Sequence, residues 1–197
     1  MNTIEGGIKG KRRGLTLIEM VMVLVIIGIM AKITLPNFNI NRYRADGAGR
    51  LARVILQEAE RNAITRQSNV IVSLDANYNR FRVVQDYNNN DTINTTDLVT
   101  WRNMGEGAVF AKPAWAGAVG ADSTTPTAAF AGAGLVTVSG LPTVIFLRSG
   151  SLSTNFYVYV TTRVNVPTEY REVICIASTG RCDLYKYNGK GWVRMTS

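Results

Sequence analysis

A long apolar run near the start of the chain constrains its fold more than any other feature. Residues 15–35 are almost wholly apolar, and Glu19 and Lys32 are the only charged residues among them. Four basic residues lie in the short segment before this run: Lys9, Lys11, Arg12 and Arg13. About 20 apolar residues span a bilayer, and flanking cations tend to stay in the cytoplasm. The pattern therefore predicts a transmembrane helix over residues 15–36, with its N-terminus cytoplasmic and the following chain on the opposite side.

A secretory signal and a buried core helix both fit this run less well. A cleavable secretory signal would end in a small-x-small site after the run, and the sequence Ala31–Pro36 matches that pattern poorly. A core helix of a soluble domain would be shorter or would carry a polar face. This run is apolar all round, which favours lipid.

The carboxylate near the start of the run needs its own explanation. A charged side chain is costly in a membrane and requires a partner, and sorting to the membrane gives no reason for Glu19. Its position therefore indicates a device for assembly with other chains.

The residues from Gly14 to Glu19, Gly-Leu-Thr-Leu-Ile-Glu, resemble the class III signal of type IV prepilins and type II secretion pseudopilins. The resemblance implies that a prepilin peptidase removes residues 1–14 by cutting between Gly14 and Leu15. It implies further that the same enzyme methylates the new amine of Leu15. Many members of the family have phenylalanine at this place, and leucine is a departure that keeps the position apolar.

Glu19 would then be the fifth residue of the mature chain, where the family has a glutamate. The Glu19 of a neighbouring subunit could pair with the amine of Leu15 inside the membrane, neutralising two groups that are each costly alone. Within one subunit, Glu19 could instead bond to its own amine or become protonated. The resemblance also implies a helix break at Gly28 and at Pro36. Its implied partners are other pilin or pseudopilin subunits, a prepilin peptidase and methyltransferase, an inner-membrane assembly platform and membrane lipid.

A second helical pattern follows the proline. Seven apolar residues recur at helical spacing along one stripe: Ala48, Leu51, Ala52, Ile55, Leu56, Ala59 and Ala63. This spacing predicts an amphipathic helix over residues 37–67 that packs its apolar stripe on a sheet. Gly47 and Gly49 are expected to weaken this helix, because glycine has more backbone freedom to lose on folding.

Residues 68–197 contain short β-type runs separated by turn residues, which predicts a periplasmic or extracellular β domain. The expected strands are residues 70–74, 80–84, 98–101, 109–110, 144–147, 156–160, 173–176, 182–185 and 192–193. Residues 111–140 are rich in Ala, Gly, Ser and Thr, and they are predicted to form a long flexible surface loop.

This series of a helix and strands resembles GspH/FimT-type minor pilins. The similarity rests on residues 50–66 followed at once by residues 70–72, on residues 143–150, and on residues 174–181. It implies an α+β fold in which a long N-terminal helix packs on a C-terminal domain of two antiparallel sheets. It also implies a low-copy subunit near the tip of a filament.

Cys175 and Cys182 are the only cysteines of the chain. An even pair in an exported domain is more often a disulfide than a metal site. A tight turn at Ser178 and Thr179 would place the two cysteines opposite each other in a hairpin, where a disulfide can form. Two reduced thiols in partly buried strands are the alternative.

An Asn/Asp-rich segment carries oxygen ligands at alternating positions, as calcium loops do. Its candidate ligands are Asp86, Asn88, Asn90 and Asp97. The segment lacks the glycine and the closing glutamate of an EF-hand loop. Because Asn and Asp clusters commonly form turns, a plain turn is the competing interpretation.

The C-terminal part of the chain interleaves basic residues with aromatic ones, a pattern that can hold phosphates and stack bases. The candidate DNA contacts are Arg171, Arg181, Lys186, Lys190 and Arg194. Glu172 and Asp183 lie among them, so a solvated strand face is the competing interpretation.

The sequence argues against an enzyme. It has no histidine, which removes the commonest general base, and it contains no Walker loop or nucleotide-binding glycine fingerprint. No catalytic residue and no cofactor are therefore expected. With 46% hydrophobic and 18% charged residues, the composition suits one globular domain plus a membrane segment.

Together these features predict a minor pilin or pseudopilin subunit. It would reside in the bacterial inner membrane as a single-pass protein and then enter a type IV pilus or a type II secretion pseudopilus. The alternative function is that of a DNA-binding minor pilin, which would act in DNA uptake through its basic C-terminal tail.

Overall fold

The chain folds into two α-helices, a short 3-10 helix (Pro167–Glu169) and eleven strands over the part that the computed structural model describes. That part comprises residues 14, 16–34, 39–105, 107–115, 129–132 and 134–196. It divides into two compact units, residues 1–39 and residues 40–197.

The first unit contains one helix, α1, at Leu17–Thr34. The helix continues through Gly28, so the predicted break at that residue is wrong. One glycine costs a helix only about 0.5–1 kcal/mol relative to alanine, and the helix continues on both sides of it. Leu15 and Pro36 lie outside the described residues. In the described part of the chain, no helix combines the length and the apolar character that crossing a membrane requires.

The second unit begins with helix α2 at Ile40–Arg66. The predicted stripe is its buried face, because Ala48, Ala52, Leu56 and Ala59 are at most 4% exposed. The helix ends where Gln67 adopts a φ of 53°, in the left-handed region that often terminates helices. The amphipathic pattern therefore predicted both the buried face and the C-terminal boundary.

Eleven strands follow α2. In chain order they are β1 (Asn69–Asp75), β2 (Arg80–Asp86), β3 (Leu98–Asn103), β4 (Val109–Phe110), β5 (Phe130–Ala131), β6 (Val136–Val138), β7 (Leu141–Phe146), β8 (Phe156–Thr161), β9 (Arg171–Cys175), β10 (Cys182–Tyr187) and β11 (Trp192–Arg194). One sheet has the order β3-β2-β1-β7-β6, and the other has the order β11-β10-β9-β8-β4, with β5 also pairing with β8. Every strand pair is antiparallel.

A single large core joins α2 to both sheets. In β1, Val70, Val72 and Leu74 face this core together with the stripe of α2, whereas Ile71 packs into a small cluster on the opposite face of the sheet. The alternation follows from the two-residue period of a strand. The predicted α+β fold with two antiparallel sheets is thus confirmed.

The contact between α2 and the second sheet is very close at Gly49. A Cβ at this position would lie 2.9 Å from Cδ1 of Leu184 and 3.0 Å from Cβ of Arg171. Gly49 therefore allows α2 to pack closely on the second sheet. This role was not expected from the sequence, which indicated only that glycine weakens the helix. At Gly47 the same added carbon would meet no atom within 4 Å.

The prediction of a loop without structure over residues 111–140 is wrong in part. Strands β5 and β6 fall inside it, and the ring of Phe130 is buried 5.0 Å from that of Phe156. β5 is a short addition to β8, whereas β6 forms a tight hairpin with β7 through Ser139 and Gly140, whose φ values are 53° and 76°. Residues 116–128 and 133 lie outside the described residues.

Candidate functional site

The first turn of α1 is closed by two reciprocal hydrogen bonds. The backbone amide of Glu19 donates to Oγ1 of Thr16 at 3.3 Å, and the backbone amide of Thr16 donates to Oε2 of Glu19 at 3.4 Å. This is a capping box, which satisfies two of the amides that a helix N-terminus leaves without intrahelical partners. The Thr-x-x-Glu spacing before an apolar run is the sequence signal that would have predicted it.

The capping box places a carboxylate at the positive end of the helix dipole, where negative charge is favoured. Both Thr16 and Glu19 are exposed, so a cation from another molecule can reach the carboxylate. The carboxylate of Glu19 is therefore an accessible acceptor that is held in one place. Its role in assembly stays a prediction.

The large apolar side chains of α1 are exposed. From Leu17 to Met30, its large hydrophobic side chains are 46–83% exposed. Contiguous apolar surface of this extent marks contact with a membrane or with other proteins.

The predicted disulfide between Cys175 and Cys182 is confirmed. The two residues are direct partners in the register of β9 and β10, and their Cα atoms lie 4.1 Å apart. The turn between them closes with the amide of Gly180 donating to the carbonyl of Ile176 at 2.9 Å, and Gly180 has a φ of 69°. The bond therefore locks a β-hairpin, as the spacing predicted.

This hairpin is fixed to α2 by a polar contact. Nε of Arg53 donates to the carbonyl oxygen of Cys182 at 3.1 Å. Beside the turn, a Cβ on Gly180 would lie 3.0 Å from Cδ of Glu60 and would collide with the carbonyl oxygen of Gly150. Burial raises the pKa of Glu60, and the charge of Arg61 opposes this shift. The hairpin, the helix and the loop at Gly150 thus form one closely packed unit.

A second polar cluster holds the start of α2. Oγ1 of Thr162 lies 2.7 Å from Oε2 of Glu169 and 3.1 Å from the carbonyl oxygen of Asn41. The guanidinium of Arg163 donates to both oxygens of the buried Glu169 carboxylate. The hydrogen bond from Arg163 holds the pKa of Glu169 below its ordinary value, against the opposing effect of burial.

The structure does not bring the five predicted DNA contacts together as free cations. The side chain of Arg171 is 3% exposed, and its Nε donates to Oδ1 of Asp46 at 2.5 Å. Its Nη1 donates to the carbonyl oxygens of Thr168 and Tyr170. Arg171 is therefore a buried link between α2 and β9 and is not available to an external phosphate.

Two of the remaining cations share one carboxylate. Nη2 of Arg181 and Nη2 of Arg194 lie 3.3 Å and 2.6 Å from Oδ1 of Asp183. Lys186 lines a cleft with Arg42 and Asp46, and Lys190 is exposed in the turn before β11. The arrangement matches the competing interpretation, a solvated strand face, and it gives DNA binding no support.

The Asn/Asp-rich segment forms the loop between β2 and β3. Oδ2 of Asp86 accepts from the amide of Asp91 at 2.8 Å, and Oδ1 of Asn88 accepts from that of Asn90 at 3.2 Å. The carboxylate of Asp97 accepts from the amides of Asn94 and Tyr87 at 2.9 Å and 3.4 Å. The segment is therefore an ordered turn. Among the described residues, no three His, Cys, Asp or Glu side chains are grouped so as to hold a metal.

Comparison with known families identifies the N-terminal segment. Residues 9–31 match the family described as the prokaryotic N-terminal methylation motif. The matched range includes Gly14, Leu15 and Glu19, and the match confirms the prediction that this segment is a prepilin-type signal.

Solved structures that are similar to this chain include two of the minor pseudopilin EpsH from the type II secretion system of Vibrio cholerae. One is 14% identical, with a TM-score of 0.47, over 75% of this chain and 99% of that chain. The other is 16% identical, with a TM-score of 0.47, over 76% of this chain and 99% of that chain. No curated protein matches the chain.

Proposed function

We propose that this protein is a minor pilin or pseudopilin subunit of the GspH/FimT type, which assembles through its N-terminal helix into a type IV pilus or a type II secretion pseudopilus. The observation that carries the proposal is the methylation motif over residues 9–31. A prepilin peptidase removes residues 1–14 and methylates Leu15, and other subunits of the filament are the partners.

Residues 15–36 hold the subunit in the inner membrane before assembly. The exposed apolar side chains of α1 support this step, because burying apolar surface in lipid gains free energy in proportion to its area. The basic leader stays cytoplasmic, which places the unit from residue 40 onward on the periplasmic side. In the filament, the same apolar surface packs against the helices of neighbouring subunits.

Glu19 sets the position of the subunit in the filament. Before assembly, its carboxylate accepts a hydrogen bond from Thr16 and completes the helix cap. On assembly, the second oxygen and the full negative charge pair with the methylated amine of Leu15 on a neighbouring subunit. Because each charge alone is costly in an apolar surrounding and the pair is much less so, only the register that brings the two groups together is stable.

The unit from residue 40 onward acts as a rigid body that presents contacts to neighbours. Its helix is tied to the second sheet by the Arg171–Asp46 ion pair and by the bond from Arg53 to the disulfide hairpin. These links keep α2 and the sheets in one arrangement, so that neighbouring subunits meet a single defined surface.

The variant Glu19→Ala tests this function. We expect the variant protein to be inserted in the membrane and cleaved normally, but to be absent from the filament fraction of cells that carry the matching assembly system. Wild-type protein in the same cells should be present in both fractions. Normal incorporation of Glu19→Ala into filaments would contradict the proposed mechanism.

A further inference from the structure

We propose that the loop between β2 and β3 is a calcium site that binds one Ca²⁺ ion. Counted from Asp86 as position 1, oxygen-bearing side chains stand at positions 1, 3, 5, 9 and 12 of a twelve-residue loop, the spacing of an EF-hand. These residues are Asp86, Asn88, Asn90, Asn94 and Asp97. In an EF-hand, position 7 contributes a backbone carbonyl, and Thr92 occupies it here.

The loop also has the backbone conformation that this spacing needs at position 6. EF-hand loops have a glycine there, which allows a sharp turn. In this loop the residue is Asp91, and its φ is 59°, in the left-handed region that glycine ordinarily occupies. Aspartate visits this region more readily than most other residues. The missing glycine is therefore no obstacle, because the backbone already makes the turn.

An independent observation points to a ligand at Asp86. This residue is 0% exposed, and its Oδ1 has no hydrogen-bond partner among the described residues. Its other oxygen accepts the amide of Asp91 at 2.8 Å, so the carboxylate lies against the backbone of the same loop. A buried carboxylate oxygen without a partner is rare and costly. A bound cation would supply the missing partner.

The loop is held in place by contacts outside the ligand set. The side chain of Asn69, at the start of β1, donates to Oδ1 of Asp91 at 2.9 Å, and its backbone amide donates to Oδ1 of Asn89 at 2.7 Å. Ile93 packs on the cluster of Ile71, Val84 and Ile145. Oδ1 of Asn88 and each carboxylate oxygen of Asp97 accept one backbone amide, which leaves each oxygen a second lone pair for a cation. Oδ1 of Asn90 and Oδ1 of Asn94 each accept a backbone amide and a threonine hydroxyl, and that hydroxyl has to rotate away when a cation binds. A preformed loop reduces the ordering cost of binding.

The ligand chemistry favours Ca²⁺ over other cations. All candidate ligands are oxygens, which suit hard cations, and Ca²⁺ accepts six to eight of them in a flexible arrangement, whereas Mg²⁺ demands an octahedron and keeps its waters. Only two of the five side-chain ligands are carboxylates, and the closing residue is the shorter Asp97. We therefore expect a dissociation constant of about 10⁻⁴–10⁻³ M, the range of extracellular calcium modules.

The test is a calorimetric titration of CaCl₂ into the full chain in detergent, after prior removal of divalent cations with a chelator. Two variants add the same negative charge at adjacent positions of the loop, Asn90→Asp at a ligand position and Asn89→Asp beside it. We expect one Ca²⁺ per wild-type chain, affinity about fivefold or more tighter in Asn90→Asp because affinity rises with ligand charge, and affinity within about twofold of wild type in Asn89→Asp.

Three results would overturn the proposal. They are the absence of saturable Ca²⁺ binding at millimolar concentrations in both the wild type and Asn90→Asp, an equal gain in affinity in the two variants, and equally tight binding of MgCl₂. The second result would indicate diffuse attraction to an acidic loop, and the third would indicate no site of calcium geometry. None of these results depends on whether the protein assembles into a filament.

Discussion

The carboxylate of Glu19 accepts a hydrogen bond from the backbone amide of Thr16 at 3.4 Å, while the hydroxyl of Thr16 accepts one from the backbone amide of Glu19 at 3.3 Å. The side chain of Glu19 therefore has two properties that can be separated, its acceptor oxygen and its negative charge. Capping the helix needs an acceptor oxygen at this position, whereas pairing with an amine of another subunit needs a negative charge. The variant Glu19→Ala removes both, and two further variants separate them.

We predict that Glu19→Gln is excluded from filaments and that Thr16→Ala enters them. Glutamine keeps an acceptor for the Thr16 amide but has no charge, and Thr16→Ala keeps the charge while losing a cap that contributes about 1 kcal/mol. The measurement is the ratio of subunit in the filament fraction to subunit in the membrane fraction, by immunoblot. Incorporation of Glu19→Gln at the level of Thr16→Ala would show that the charge of Glu19 has no part in assembly.

The disulfide between Cys175 and Cys182 closes a short loop in the second sheet. We predict that replacing both cysteines with serine lowers the free energy of unfolding by about 2–3 kcal/mol, because the unfolded chain regains loop entropy. Denaturant unfolding of the full chain in detergent, followed by tryptophan fluorescence, measures this change. A loss below about 0.5 kcal/mol would mean that the packing of the hairpin on α2 holds it without the bond.

Two glycines of α2 provide a matched test of its packing. Gly47→Ala should raise stability by about 0.5–1 kcal/mol, since alanine is the better helix former and nothing lies near the added carbon. Gly49→Ala gains the same propensity but forces its carbon against Leu184 and Arg171, and overpacking costs about 1–3 kcal/mol. The order of the two variants in thermal unfolding is the test. Equal stability would show that α2 can move away from β10 at no cost.

The buried carboxylate of Glu169 makes stability depend on pH. Because Arg163 holds the pKa of Glu169 below its ordinary value of 4.5, the carboxylate contributes stability that is complete above pH 4.5 and is lost as the pH falls through the lowered folded-state pKa. The stability difference between wild type and Glu169→Gln should therefore shrink as the pH falls below 4.5. Denaturant midpoints of the two proteins, recorded in a series of buffers of different pH, measure this stability difference.

The exposed pair of Arg102 and Glu58, 2.9 Å apart, supplies the control for this experiment. Its charges are solvated, so Glu58→Gln should change stability by less than about 1 kcal/mol. If the stability difference between wild type and Glu169→Gln stays constant as the pH falls below 4.5, the ionised carboxylate of Glu169 does not contribute to stability.

The sequence predicted the elements whose pattern follows from local geometry. The apolar residues of α2 recur at helical spacing, which predicted its buried stripe. The spacing of Cys175 and Cys182 fitted a short turn, which predicted the hairpin of β9 and β10. Strand β6 was missed although its Val-Thr-Val sequence and the turn at Ser139 and Gly140 are a local hairpin signal. Strand β5 escaped prediction because it has two residues and Phe130 pairs with Val158, which is distant in sequence. Such additions depend on the neighbouring strand more than on their own residues.

Some residues of the candidate sites were likewise predictable from local sequence spacing, and others depend on partners that are distant in the chain. The role of Arg171 could not be predicted, because its partner Asp46 lies on a helix that is 125 residues away in the chain. The capping box of Thr16 and Glu19 was predictable from its spacing, although the cost of a carboxylate in a membrane points first to a partner in another chain. In the Asn/Asp-rich loop, the spacing of ligands was visible, while the φ of Asp91 and the unpartnered oxygen of Asp86 required coordinates.

The identity of the mature N-terminus decides whether this chain is processed as a prepilin. The protein should be extracted from membranes and analysed by intact mass and N-terminal sequencing, alongside Gly14→Asp. We predict a wild-type chain that begins with N-methyl-Leu15, without residues 1–14, and a Gly14→Asp chain that keeps them. An uncut wild-type N-terminus, or a chain that begins beyond Leu35, would contradict the proposal that this protein is a pilin or pseudopilin subunit.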